Sequence, residues 1–138
     1  RVKQIVADAS FCGAWILTDE SSGEAERLLG RIISGSVQLV VPALWHYEMC
    51  NLLRSAVRRK RLATEDLDLA VATLERVPMT LEDLPGAPAR RRILHLAAQF
   101  DLSAYDAAYL ELADRFKVGL QTNDAKLKTA AKQLGLRA

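Results

Sequence analysis

Cysteine is nearly absent: Cys12 and Cys50 are the only two in 138 residues, and no Cys-x-x-Cys pair exists. That scarcity excludes a thiolate zinc site and argues against a disulfide framework, predicting two buried, reduced thiols in helices of a cytoplasmic protein. Histidine is as scarce. His46 and His95 stand far apart, which leaves no set of imidazole ligands for zinc and no supported histidine base. No apolar run approaches the roughly 20 residues of a membrane span. The opening Arg1-Val2-Lys3-Gln4-Ile5-Val6 is too short and too quickly polar for a secretory signal. Repeats and low-complexity tracts are missing as well. The net charge is only +2, which permits nucleic-acid binding without demanding it.

What is present is ordinary globular material, 50% apolar and 26% charged, enough for a single domain over residues 1–138. Ile5-Val6-Ala7 reads as a short buried strand ending at Asp8, and Ala9 to Leu17 as a helix with a weak point at Gly13. Ser21 and Glu24 have capping-box spacing and open a helix to Ile33, which Gly35 ends. Val37 to Val41 is the clearest strand, stopped by Pro42. Leu44 to Lys60 forms a long helix whose Trp45, Met49, Leu52, Leu53 and Ala56 repeat at the spacing of one buried stripe. Thr64 caps a helix with Leu67, Ala70, Val71 and Leu74 on its apolar face, and Val77 to Thr80 is an edge strand on account of Pro78. Pro85 to Pro88 is a turn. Helices follow over Ala89 to Phe100 and from Ser103, the latter with Tyr105, Ala108, Tyr109, Leu112, Ala113 and Phe116 as its stripe. A strand over Val118 to Gln121, a helix over Asn123 to Gln133 and a strand beginning at Leu136-Arg137-Ala138 complete the chain. Apolar strands alternating with amphipathic helices predict an α/β domain with a mainly parallel sheet, whose ligand sites lie beyond the carboxyl ends of the strands.

Four acids stand where that rule points. Asp8 ends the first strand, Asp124 follows the last helix-flanking strand, and Asp106 lies in the first turn of the Ser103 helix. Glu48 sits inside the long helix, about 60° from Trp45 and about 40° from Leu52, so it borders the buried stripe, with Asn51 one turn on to orient it. Each also has a structural reading: Asp8 and Asp124 as helix-start residues, with Thr122 the better cap for the last helix, Asp106 in a capping box with Ser103, and Glu48 paired with an arginine. If the four converge, their repulsion requires a cation, and an all-oxygen donor set suits Mg²⁺ or Mn²⁺. Such a site hydrolyses phosphodiesters with activated water.

These fragments resemble the PIN-domain ribonucleases, and most closely the VapC toxins of type II toxin–antitoxin pairs. The likeness is carried by Ile5-Val6-Ala7-Asp8-Ala9-Ser10 with Trp15-Ile16-Leu17 and Asp19-Glu20. It continues through Pro42, Glu48, Asn51-Leu52-Leu53 and Arg54, then Tyr105-Asp106-Ala107-Ala108-Tyr109 with Leu112-Ala113. Thr122-Asn123-Asp124-Ala125-Lys126-Leu127 with Ala130-Ala131 and Leu134-Gly135 ends it. Four motifs in this order span nearly the whole chain. The resemblance implies a three-layer α/β/α fold and an Mg²⁺- or Mn²⁺-dependent endoribonuclease, with Asp8 and Asp106 the principal metal ligands and Glu48 and Asp124 completing the set. Ser10, Asn51 and Thr122 match supporting positions. It further implies an RNA substrate, a homodimer and a cognate VapB-type antitoxin covering the acidic pocket.

Arg54, Arg58, Arg59, Lys60 and Arg61, the run Arg90-Arg91-Arg92, and Lys126, Lys128 and Lys132 are candidate phosphate contacts, or simply a solvated face. The aromatic residues Trp15, Trp45, Tyr105, Tyr109 and Phe116 fall on apolar stripes and are expected in the core or a dimer surface rather than as base-stacking platforms. Two other classes fit strand-end aspartates. An aspartyl-phosphate phosphatase or receiver domain would want a second acid near Asp8, where Ser10 stands, and an RNA-binding or assembly module would keep the fold without turnover.

Overall fold

A computed structural model describes residues 3–17, 19, 22–82 and 85–137. Its centre is a four-stranded, all-parallel sheet of β1 (Lys3–Ala7), β2 (Val37–Pro42), β3 (Met79–Glu82) and β4 (Gly119–Gln121), in the order β3-β2-β1-β4. Ile5 pairs with Leu39 on one side and Gly119 on the other, and Val40 pairs with Thr80. Successive strand residues point to opposite faces, yet Ile5, Val6 and Ala7, and Leu39, Val40 and Val41, are all buried. Both faces are therefore covered, and the fold is a three-layer α/β/α sandwich.

Seven α-helices among the described residues supply the outer layers: α1 (Ala9–Cys12), α2 (Gly23–Ile33), α3 (Ala43–Arg58), α4 (Leu67–Glu75), α5 (Ala87–Phe100), α6 (Ala104–Phe116) and α7 (Ala125–Gln133). Helix α6 packs on β1 and β2, with α5 and α7 against it, while α2 and α3 also meet β2. The predicted stripe of the long helix holds: Trp45, Met49, Leu53 and Ala56 are buried and Leu52 is partly so.

The departures have local causes. At Gly13 the first helix tightens into a 3₁₀ turn over Gly13–Trp15. Ser22 caps α2 by accepting from the Ala25 N–H at 3.1 Å. The expected cap at Ser21 lies outside the described residues, as do Glu20 and Ala138. Thr64 caps nothing; it begins a 3₁₀ turn over Thr64–Asp66, and only Ala70 of the α4 stripe is buried, with Val71 exposed. Strand β3 does lie at the sheet edge but starts at Met79, after Pro78, whose ring cannot donate to a ladder. Residues 136–137 form no strand. The Arg137 carbonyl instead accepts one hydrogen bond from Leu120 N–H at 2.8 Å, so close that a Cβ on Gly119 would stand 3.0 Å from that oxygen. Tyr105 is exposed, not core, and Cys50 is exposed on the solvent side of α3, whereas Cys12 is buried as expected.

Candidate active site

The chain runs from β1 outward to β2 and β3, then returns to place β4 on the other flank of β1. The strand order thus switches direction between β1 and β4, and the crevice beyond their carboxyl ends is where such sheets bind ligands. Asp8 is the first residue after β1, and its N–H donates to the Gln121 carbonyl at the end of β4, at 3.0 Å. Asp124 follows β4 by three residues.

Asp8 is buried and almost saturated with donors. Its Oδ1 accepts from the Ser10 hydroxyl at 2.7 Å and the Phe11 N–H at 3.0 Å, and its Oδ2 accepts from the Thr122 hydroxyl at 2.5 Å. Asp8 is therefore the cap of α1 as well as a site residue. Both polar neighbours also bind the loop after β4. Ser10 accepts from Asn123 N–H at 3.1 Å, and Thr122 accepts from Asp124 N–H at 3.0 Å. Asp124, rather than Thr122, caps α7, taking the Leu127 N–H at 2.8 Å. Thr122 is free of that task and holds Asp8 instead.

Glu48 projects from α3 and is partly buried. Its Oε1 accepts from the Tyr109 hydroxyl of α6 at 2.5 Å. The expected partners, Asn51 or an arginine, are not there: Asn51 is exposed and makes no hydrogen bond among the described residues, and the ion pairs described there involve other carboxylates. Tyr109 was legible only as a core aromatic, because a stripe pattern shows which face is buried and not where a phenol oxygen ends. Asp106 stands in the first turn of α6, its N–H capped by Ser103 at 3.1 Å, and it too is partly buried.

Electrostatics ties these side chains into one group. Burial pushes the Asp8 carboxyl above its ordinary range, against the pull of its hydroxyl and amide donors, and the Asp124 charge adds to the rise. Burial likewise raises Glu48, helped by the charges of Asp8 and Asp106, although the Tyr109 bond opposes it. Asp106 is raised by burial, then by Asp124 and Asp8. Each of the three feels other members of the set, as four acids at one mouth must. The arrangement is open: among the described residues no three acid, imidazole or thiol groups stand close enough to enclose a metal ion. His46 and His95 are exposed and lie outside the group. The basic clusters are partly occupied elsewhere, Arg61 with Asp19, Arg92 with Asp114 and Lys126 with Asp101.

A covered parallel sheet with acids gathered at its switch point places the chain in a definite class. The PIN domain model matches residues 5–133, and the chain belongs to the PIN-domain family. Within it, VapC ribonuclease Mb0985 of Mycobacterium bovis and ribonuclease VapC9 of Mycobacterium tuberculosis are each 35% identical over 123 residues, 89% of this chain and 87% of theirs. Ribonuclease VapC3 of Pyrobaculum aerophilum is 29% identical over 124 residues, 90% of this chain and 92% of its own. The fold is shared with the crystal structure of PAE2754 from Pyrobaculum aerophilum. That similarity has a TM-score of 0.67 at 22% identity, covering 94% of this chain and 87% of that one.

Proposed function

We propose that this chain is a divalent-metal-dependent endoribonuclease acting through Asp8, Glu48, Asp106 and Asp124, and that it is the toxin of a VapBC-like pair. The observation that carries the reading is that Thr122 links Asp8 to the backbone of Asp124 at the carboxyl edge of the sheet and Tyr109 of α6, the helix of Asp106, holds Glu48, with the charges of neighbouring acids raising Asp8, Glu48 and Asp106. The VapC ribonucleases among its relatives support the substrate class and, by their kind, a VapB-type antitoxin. A homodimer and a cytoplasmic location follow from the same resemblance. No helix among the described residues is long and apolar enough to cross a membrane.

The donor set fits Mg²⁺ or Mn²⁺. It is all carboxylate oxygen, and desolvation makes each buried acid costly while it stays uncompensated. Openness is no obstacle, since Mg²⁺ is commonly held by one or two carboxylates and keeps several waters. Asp8 and Asp106 would hold the ion, with Glu48 and Asp124 beside them or acting through water. When bound, it supplies an activated water and charge stabilisation at the phosphate. The protein's own residues do the positioning. Ser10 and Thr122 fix both oxygens of Asp8, Tyr109 fixes Oε1 of Glu48, and Glu48 Oε2, which no described residue bonds, is left to accept a proton from water.

Purified protein is expected to cut RNA internally with Mg²⁺ or Mn²⁺ and to stop in EDTA, and Asp8→Asn or Asp106→Asn is expected to lose at least 100-fold in rate (~2.7 kcal/mol). Full activity in either variant would overturn the assignment. The open arrangement of the acids favours a second reading, an RNA-binding module without turnover. That reading predicts RNA retention and no metal-dependent cutting.

A further inference from the structure

An acidic pocket repels the polyanion it is meant to cut, so affinity must come from elsewhere on the surface. The surface beside Glu48 has an unusual composition. A cavity of about 460 Å³ opens there, and Glu48 forms part of its wall. Two tyrosines share that wall, Tyr47 from α3 and Tyr105 from α6, and they are 75% and 64% exposed. Each directly precedes an acid of the site, Tyr47 before Glu48 and Tyr105 before Asp106. Neither phenol makes a hydrogen bond among the described residues, and neither ring is packed into the core, although both lie on helices that bury other large side chains well. Asn51 and Ser55 line the same cavity and offer donors and acceptors, and Arg61, paired with Asp19, brings a guanidinium to it.

Resting on the ribonuclease reading above, we propose that Tyr47 and Tyr105 form a stacking platform for unpaired nucleobases beside the scissile phosphate. Aromatic rings offer a π-face to any base and hold single strands largely without regard to sequence, at about 1–3 kcal/mol per stacked base. A duplex keeps its bases paired and stacked, so it has nothing to present to these rings. RNA is the occupant the cavity favours over a protein helix. The cavity is continuous with an acid of the reaction, and two thirds of its lining residues are polar or aromatic rather than aliphatic.

The test uses a fluorescent octaribonucleotide of mixed A and U that forms no hairpin, together with a blunt duplex of the same length. Anisotropy titrations in EDTA are run on the wild type, Tyr47→Ala, Tyr105→Ala, and the Phe and Trp replacements at both positions. Thermal melts confirm that each variant is folded, as exposed positions lead one to expect. The Ala variants are expected to weaken single-strand binding by about 5- to 160-fold, the range of one lost stack. Duplex binding should stay unchanged, and Phe or Trp should restore the single-strand affinity to within about threefold. With Mn²⁺ the loss should fall in KM rather than kcat. Ala variants that bind the octamer like wild type would overturn the platform. So would equal losses on duplex and single strand, or failure of Phe to rescue. A face that serves a protein would show itself if the Ala variants lose a co-expressed antitoxin and keep RNA, and that result also overturns it. The two readings fail separately. Tyrosine-dependent binding without Mn²⁺-dependent cutting removes the nuclease and keeps the platform, whereas cutting that ignores both tyrosines does the reverse.

Discussion

Tyr109 is 1% exposed, and the one polar atom of its side chain donates to an acid on a different helix. A glutamate left alone on a helix surface samples many rotamers, and this bond selects one of them. Replacing Tyr109 with Phe removes the donor and leaves the ring in place. Mn²⁺ affinity, measured by calorimetry, is expected to fall about 5- to 10-fold, the equivalent of roughly 1 kcal/mol of hydrogen bonding. In a Glu48→Ala background the same change should have no further effect, because the bond is already gone. The two thiols give a second check at this scale. Burial pushes the Cys12 thiol far above its ordinary value, while Cys50 is exposed. A chromogenic disulfide reagent should therefore titrate one thiol in the native protein and two in denaturant. Two fast native thiols would mean that α1 is not packed as described.

Helix α6 shows how one element serves both fold and site. Its first turn carries Asp106, its middle carries Tyr109, and its inner face buries Glu111, an acid among apolar neighbours. Arg115, one turn on, grips Glu111 at 2.8 and 3.2 Å and reaches Glu82 of β3 at 2.8 Å, so the helix is tied to the sheet edge. These bonds, to Glu111 first, hold the Arg115 guanidinium protonated more firmly than usual. Glu111→Ala is expected to cost about 1–2 kcal/mol, less than a fully buried pair would, because Arg115 is 39% exposed. Urea denaturation should show a lowered midpoint with an unchanged slope. A midpoint equal to that of wild type would show that the clasp adds nothing.

At the scale of the molecule, the acids make a cation part of the expected stability balance. Asp8, Glu48 and Asp106 are raised in the folded state, so in the metal-free protein they keep protons that the unfolded chain has released. The sign is then fixed: their contribution to stability is full below the ordinary carboxylate values of the unfolded chain and is lost as pH rises through the higher folded values. Asp19, Asp101 and Asp114, each pulled down by a cationic neighbour, give the opposite slope at more acid pH. Melting temperature without metal should therefore decline as pH rises above the usual carboxylate range, and Mn²⁺ should restore it. Asp106→Asn should raise the metal-free melting temperature at neutral pH by a few degrees, roughly what 1 kcal/mol yields in a domain of this size, and should blunt the response to Mn²⁺. A profile that rises toward neutrality in EDTA would contradict the crowding of these acids.

Read alone, the chain of residues determined most element types, the parallel sheet and the places where Asp8, Asp106 and Asp124 end strands or begin helices and Glu48 borders a buried stripe, because periodicity and capping are local properties. It also identified Ser10 and Thr122, through their motifs, as companions of the acids. Tertiary structure alone decided which partner each side chain takes. Thr122 bonds Asp8, 114 positions away, and leaves the capping of α7 to Asp124. Tyr109 takes the role expected of Asn51, and Tyr47 and Tyr105 stay in solvent despite lying on helices. The reason is physical. A helical stripe records which side faces the core, but a hydrogen bond or an exposed ring depends on what another segment brings to within about 3 Å, and no spacing along one element encodes that.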